Sequence, residues 1–365
     1  VAFQLMNAVF IMLTYRELEK ISGYFGVKKV TRLAVLLCGI LFFPLILYAS
    51  FVYGMVPGLF WAVLSMRDTI AFCREQHIKQ AVIAAVSIMF AVMLKSNYLI
   101  FFIGISVYLF LELLKQKKVR YVCLIVCMVI LCMGQSALAK KFLEAKTGGN
   151  MNAGVSNLSY IAMGLQQNEK LCDGWYNEYN LLSYLGNDCD PKKQEEEVMA
   201  NIKENLAFYE ENKDIAMAFL ANKVASEWNN PTFQALWVAQ VCESDINQGN
   251  LVNRMLRFPG SNWIAVYLNF VQFFILLGML VYIISLPKKK ATTGEALLSV
   301  IFIGEFVFHL FWEAKCQYTL PYFTLLLPLS MLGFSKGMEM FAQVVTEVRE
   351  KKKALSYSGM AKTGV

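Results

Sequence analysis

"LIFFIGISVYLFLELLKQKKVRYVCLIVCMVILCMGQSAL", residues 99–138, holds two apolar runs joined by the basic stretch KQKKVR. Each run approaches the roughly 20 residues that a helix needs to cross a bilayer, so the stretch reads as two membrane spans turned round at a basic loop. The whole chain has the same character. It is 57% hydrophobic and 17% charged, with mean hydropathy +0.46, where an ordinary globular domain is about 45–50% apolar and about 25% charged. That composition excludes a soluble enzymatic domain. Working outward, further apolar runs fall at 1–15, 33–54, 56–73, 80–94, 262–286, 295–311 and 318–334, with the two in the opening stretch at 97–114 and 121–139. The expected fold is therefore an all-α integral membrane protein with about nine transmembrane helices. Val1 opens inside an apolar run with no initiator methionine, basic n-region or small-residue cleavage site, so the chain reads as the C-terminal part of something longer.

Orientation follows from lysine and arginine in the short connections. Basic residues cluster at 16–32, 74–79, 115–120 and 288–290 and again in the tail at 336–353, after alternate spans. The other short connections carry YGMVPG, Lys95, and Glu313 with Lys315. The basic side is cytoplasmic by this rule, including the C-terminus, and the localisation expected is the cell membrane, multi-pass. The third span is the weakest, because Arg67 and Asp68 follow only eleven residues after its start at 56; without it, the KQKKVR and PKKK clusters would move to the wrong side. The net charge of +7 is spent on these topology clusters, so nucleic acid is not an expected partner. The domains expected are spans one to six over 1–139, an extracytoplasmic segment over 140–261, spans seven to nine over 262–334, and a basic cytoplasmic tail over 335–365. Within the long segment, Val198, Ile202 and Leu206 repeat every four residues, and Ile215, Phe219, Leu220, Val224 and Trp228 continue the pattern. Both stretches predict amphipathic helices lying over the outer ends of the spans.

Polar groups retained in or beside apolar runs are the candidates for chemistry, since a charge at a helix centre costs about 2.5–3.5 kcal/mol on insertion scales. Glu305, His309 and Glu313 share one face of the eighth span. They read either as a hydrogen-bonded packing pair with a boundary glutamate or as one wall of an outward-opening pocket. Lys95, in LKSNY, breaks the positive-inside pattern and is placed to bind a lipid phosphate as a point charge; Lys315 has the same role or pairs with Glu313. Of nine cysteines, Cys172 and Cys189 fall in the outer segment, where a disulfide is one of two open readings. Cys242 is left over. No CxxC or HExxH pattern occurs, so no cofactor is expected and a divalent metal has no motif behind it.

Four stretches carry a family resemblance. "MGLQQNEKLCDGWYNEYN" (163–180), "SEWNNPTFQALW" (226–237), "FHLFWEAKCQYTLPYFTLLLPLSMLGF" (308–334) and the lysine hairpin "AVMLKSNYLIFFIGISVYLFLELLKQKK" (91–118) resemble the corresponding parts of bacterial GT-C superfamily glycosyltransferases. That superfamily includes the protein O-mannosyltransferases and the lipid A aminoarabinose transferases. The resemblance implies a hexosyltransferase of the cell envelope that moves a sugar from a polyprenyl-phosphate donor to an acceptor at the outer membrane face, with that lipid-linked sugar and membrane lipid as partners. It implies Lys95, Lys315, Gln317, Tyr318, Trp175, Asn177 and Trp228 as substrate-binding residues, with Tyr176 and Trp237 as further aromatic candidates. It also places the catalytic acid pair in a first external loop, here expected upstream of Val1, leaving Glu313 as a supporting carboxylate. Two other readings stay open: a transporter or flippase of lipid-linked sugars, and an O-antigen-type polymerase or ligase.

Overall fold

The computed structural model describes residues 1–149, 151, 154–168, 172–241, 251–286 and 293–362, and contains no strand among them. The basic run at 288–290, Cys242 and residues 169–171 of the first resembling motif lie outside the described residues. All nine apolar runs fall on helices. These are α1 (Ala2–Gly23), α2 (Lys29–Leu41), α3 (Pro44–Leu47), α4 (Met55–Glu75), α5 (Ile78–Leu94), α6 (Leu99–Gln116), α7 (Arg120–Thr147), α14 (Gly260–Ser285), α15 (Thr293–His309), α16 (Cys316–Thr324) and α17 (Leu326–Lys362). Between α7 and α14 lie α8 (Leu158–Gly164), α9 (Tyr179–Gly186), α10 (Pro191–Glu211), α11 (Lys213–Trp228), α12 (Ala235–Val241) and α13 (Leu251–Leu256). Among the described residues, four helices are long and apolar enough to cross a membrane: α4, residues 96–116 containing α6, α7 and α14. A fifth is reached if α2 and the helical stretch Pro44–Ser50, bent by 54° from each other, are counted as one span.

The charges that weaken α4 as a span are neutralised inside the protein. Arg67 Nη1 lies 3.1 Å from Glu17 of α1 and Arg67 Nη2 lies 2.5 Å from Asp68, while Lys20 reaches Glu17 at 2.7 Å. With these charges paired, α4 runs unbroken as the helix packed between α1 and α5. The second run does not stay straight. The chain breaks at Phe42–Phe43 before Pro44, whose ring cannot continue a helix from the preceding turn, and buried Phe42 fills the bend against Phe233 at 5.8 Å and Phe323 at 5.0 Å. The basic tail is helical: α17 continues as one helix from the core to Lys362.

Helices α14 and α17 touch backbone to backbone. A Cβ at Gly278 would overlap Ser330, and one at Gly333 would overlap the Gly278 carbonyl oxygen. Gly278→Val is therefore expected to prise the pair apart at about 1–3 kcal/mol, read as a lower thermal midpoint in detergent. Gly304→Ala, inside α15 where a Cβ meets nothing within 4 Å, is expected to hold the midpoint or raise it slightly, since alanine favours a helix interior by about 0.5–1 kcal/mol.

The long polar segment is helical over both patterned stretches, as α10 and α11, but its buried positions differ from the apolar pattern. Asp190 caps α10 by accepting from the Lys192 and Lys193 backbone N–H groups, at 2.8 and 3.4 Å, and Pro191 takes the first turn where no N–H is needed. Val198 and Phe219 are buried, whereas Leu206, Ile215 and Leu220 are exposed. The buried face of α11 is Phe219, Lys223 and Glu227, a stripe at four-residue spacing that is two-thirds ionisable.

Candidate functional site

The turn 310–315 between α15 and α16 is held from both sides. Lys223, fully buried, donates from Nζ to the carbonyls of Gly164 at 2.6 Å, Trp312 at 2.7 Å and Leu310 at 3.1 Å. Gly164 ends α8, and Leu310 and Trp312 follow the end of α15. One cation therefore satisfies carbonyls left over at two helix C-termini, where the backbone dipoles also favour positive charge. Burial lowers the Lys223 pKa to about 8, against opposing pulls from Glu227 and Glu313. Gly164 permits the close approach, since a Cβ there would strike the Trp312 backbone, and Gly174, at φ +71°, turns the facing loop back. The Ala314 N–H then donates to the Gly174 carbonyl at 2.8 Å, and Trp312 stacks on Tyr160 with centroids 5.4 Å apart.

Lys95 reaches the same place from the other side. It leaves α5 in extended conformation, φ −158°, and opens the one-turn helix 96–98. That turn is anchored by the Tyr322 hydroxyl, which donates to the Asn97 carbonyl at 3.0 Å, and by the Tyr98 hydroxyl, which donates to the Met55 carbonyl. The Lys95 ammonium sits 4.7 Å from the ring centroids of both Tyr53 and Tyr318, and the Lys315 ammonium sits 5.7 Å from Tyr318. Neither ammonium has a carboxylate oxygen within 4.0 Å among the described residues. Aromatic faces hold a cation without neutralising it, so both remain able to attract an anion. Beside them is a cavity of about 280 Å³ whose walls include Tyr53, Trp237, Lys315, Gln317 and Tyr318. Burial lowers the Lys95 pKa to about 7, helped by Lys315 and opposed by Glu313. Burial likewise raises Glu313 to about 7, opposed by Lys315, Lys95 and Lys223.

Lys95, Glu313, Lys315, Gln317 and Tyr318 thus gather at one end of the bundle, and Trp237 joins them at the cavity. The remaining substrate-binding candidates make contacts within the fold. Trp175 adjoins Ala314 in a short parallel bridge, and its indole N–H donates to Ser226 at 2.9 Å. Asn177 donates to Gln166 at 2.8 Å and accepts from the Tyr179 N–H at 3.1 Å. Trp228 packs on Phe302 and Phe306 of α15, and its carbonyl accepts from Gln272. The loop NNPTF delivers Phe233, fully buried, between Phe42 and Phe323.

Of the Glu305, His309, Glu313 face, the first two form a cluster with a third residue that hydrophobic periodicity passes over. His309 Nδ1 lies 3.3 Å from Glu227 of α11, and His309 Nε2 lies 3.4 Å from Glu305, all three buried. The two carboxylates lie against opposite nitrogens of the imidazole, so the three groups do not converge on one point that a single ion could occupy. No group of three or more His, Cys, Asp or Glu among the described residues is placed to hold a metal. Cys172 and Cys189 are both free and exposed. Sequence reading also missed Tyr53 and Lys223. Tyr53 looks like the end of an apolar run, and Lys223 looks like one of several solvated lysines; its one signal is that Phe219, Lys223 and Glu227 repeat the four-residue spacing of Glu305, His309 and Glu313. Comparison with known proteins finds no family model, curated relative or solved structure that matches the chain.

Proposed function

We propose that this is a cell-membrane glycosyltransferase that moves a sugar from a polyprenyl-phosphate donor to an acceptor at the extracytoplasmic face. The observation that carries the reading is the pair of ammonium groups, Lys95 and Lys315, without a carboxylate partner among the described residues and both gathered on Tyr318, which with Lys315 lines an aromatic-walled cavity. In this reading the lysines hold the donor phosphate as point charges, the cavity beside Gln317 and Tyr318 takes the sugar, and the exposed apolar faces of the helices meet the prenyl chain. The positive-inside alternation orients the nine proposed spans, setting residues 140–261 outside and the C-terminus in the cytoplasm.

The test is transfer by the full-length protein in lipid nanodiscs, using decaprenyl-phosphate donors carrying mannose, glucose or galactose. Release of decaprenyl phosphate with a new glycosidic bond is the expected result. Movement of the intact donor between leaflets, with no bond broken, would replace this reading by the flippase one.

The pH dependence of donor binding has a defined sign. With Lys95 lowered to about 7 and Glu313 raised to about 7, a falling pH charges the lysine and neutralises the carboxylate, and both changes favour an anion. Decaprenyl phosphate is expected to bind severalfold more tightly at pH 6.5 than at pH 8, a window chosen above the second phosphate pKa of about 6. Flat or reversed dependence would contradict the lysine assignment.

A further inference from the structure

We propose that Glu313 is the general base of this site, taking the proton from the acceptor hydroxyl. The inference rests on the glycosyl-transfer reading above and adds to it a residue of this chain for the role that the family resemblance places ahead of Val1.

Seven carboxylates are buried among the described residues: Glu17, Asp68, Glu112, Glu227, Glu295, Glu305 and Glu313. Six are engaged. Glu17 and Asp68 meet Arg67, Glu112 meets Lys115 and Gln116, Glu295 meets Tyr282 and Lys336, and Glu227 and Glu305 flank His309. Glu313 alone of the seven has no hydrogen bond and no ion pair. Without a partner among the described residues, its oxygens are free to meet water or a ligand. Both oxygens of Glu305 are sealed from solvent, and those of Glu313 are not.

Its backbone is fixed in the way a base requires. On one side the Trp312 carbonyl is held by Lys223 at 2.7 Å, and on the other the Ala314 N–H is held by Gly174 at 2.8 Å. The charged groups within its field are Lys95, Lys315 and Lys223, with Tyr53, Tyr176 and Tyr318 around them. Glu313 therefore lies on the same turn as Lys315 and within the electrostatic reach of both lysines proposed for phosphate. A carboxylate kept free of partners, preorganised and balanced between burial and distant cations is placed to accept a proton near neutral pH.

The step balances without a further reactant. The acceptor oxygen attacks the anomeric carbon, and the bond from that carbon to the phosphate oxygen breaks. The electron pair leaves with the polyprenyl phosphate, whose charge Lys95 and Lys315 hold, and the acceptor proton passes to the Glu313 carboxylate.

The experiment compares wild type, Glu313→Gln and Glu313→Asp in the full-length protein in nanodiscs, measuring transfer from the decaprenyl-phosphate hexose at saturating donor, donor binding, and the pH profile of kcat. Loss of a general base is expected to lower kcat about 10²–10⁴-fold. In Glu313→Gln that loss should come with donor affinity equal to or tighter than wild type, and the acid limb of the profile, with its midpoint near 7, should disappear. Glu313→Asp should keep the limb and part of the rate. Glu313→Gln with kcat close to wild type overturns the assignment and leaves the transfer reading standing, as does equal loss of donor binding in both variants. No transfer by wild type from any donor overturns the reading itself and the base with it.

Discussion

Lys223→Met is expected to cost at least about 1–3 kcal/mol, because it leaves the buried Gly164 carbonyl and the partly buried Leu310 and Trp312 carbonyls without their donor. The methionine keeps the apolar stem and its packing but cannot donate, so Gly164, Leu310 and Trp312 would all lose the same partner. Against total stabilities of about 5–15 kcal/mol, that is enough to loosen the turn carrying Glu313 and Lys315. The check is a denaturant or thermal titration in detergent beside Lys203→Met, an exposed position on α10 where a change within about 0.5 kcal/mol is expected. Equal stability of the two variants would mean that Lys223 does not hold the turn.

Lys95→Met should act on ligand rather than on fold. The ammonium is held by two aromatic faces and no carboxylate, so its removal strands no buried counter-charge. A hydrogen bond to a charged group is worth about 1.5–3 kcal/mol, which corresponds to roughly 10- to 150-fold weaker binding of decaprenyl phosphate. The thermal midpoint should stay near wild type, since burial already disfavours the charged amine. A variant that binds the lipid as wild type does would remove Lys95 from the site.

How far the sequence could be read depends on what each residue is surrounded by. Apolar runs reported their helices reliably, because burial in lipid or in the core demands the same residues. Arg67 and Asp68 made the third span the weakest to read, since the acid that pairs with Arg67 from α1, Glu17, lies fifty residues earlier and carries no local mark. The amphipathic pattern found α11, yet its buried face is ionisable, and a scan for apolar period cannot see Lys223 or Glu227. Lys95 and Lys315 stood out because they break the charge bias of their side, and the fold brings both to Tyr318. The aromatic motifs were harder to read. Nothing local separates Trp237, at the cavity, from Trp228, packed on Phe302 and Phe306.

The central claim is that the end of the bundle around Lys95 and Lys315 recognises a lipid phosphate. It is tested most directly by titrating decaprenyl phosphate and the uncharged decaprenol against the full-length protein in nanodiscs of neutral lipid. The account predicts that wild type prefers the phosphate by at least about tenfold and that the preference disappears in Lys95→Met. Equal binding of the two lipids by wild type, or a preference that survives Lys95→Met and Lys315→Met together, would contradict it.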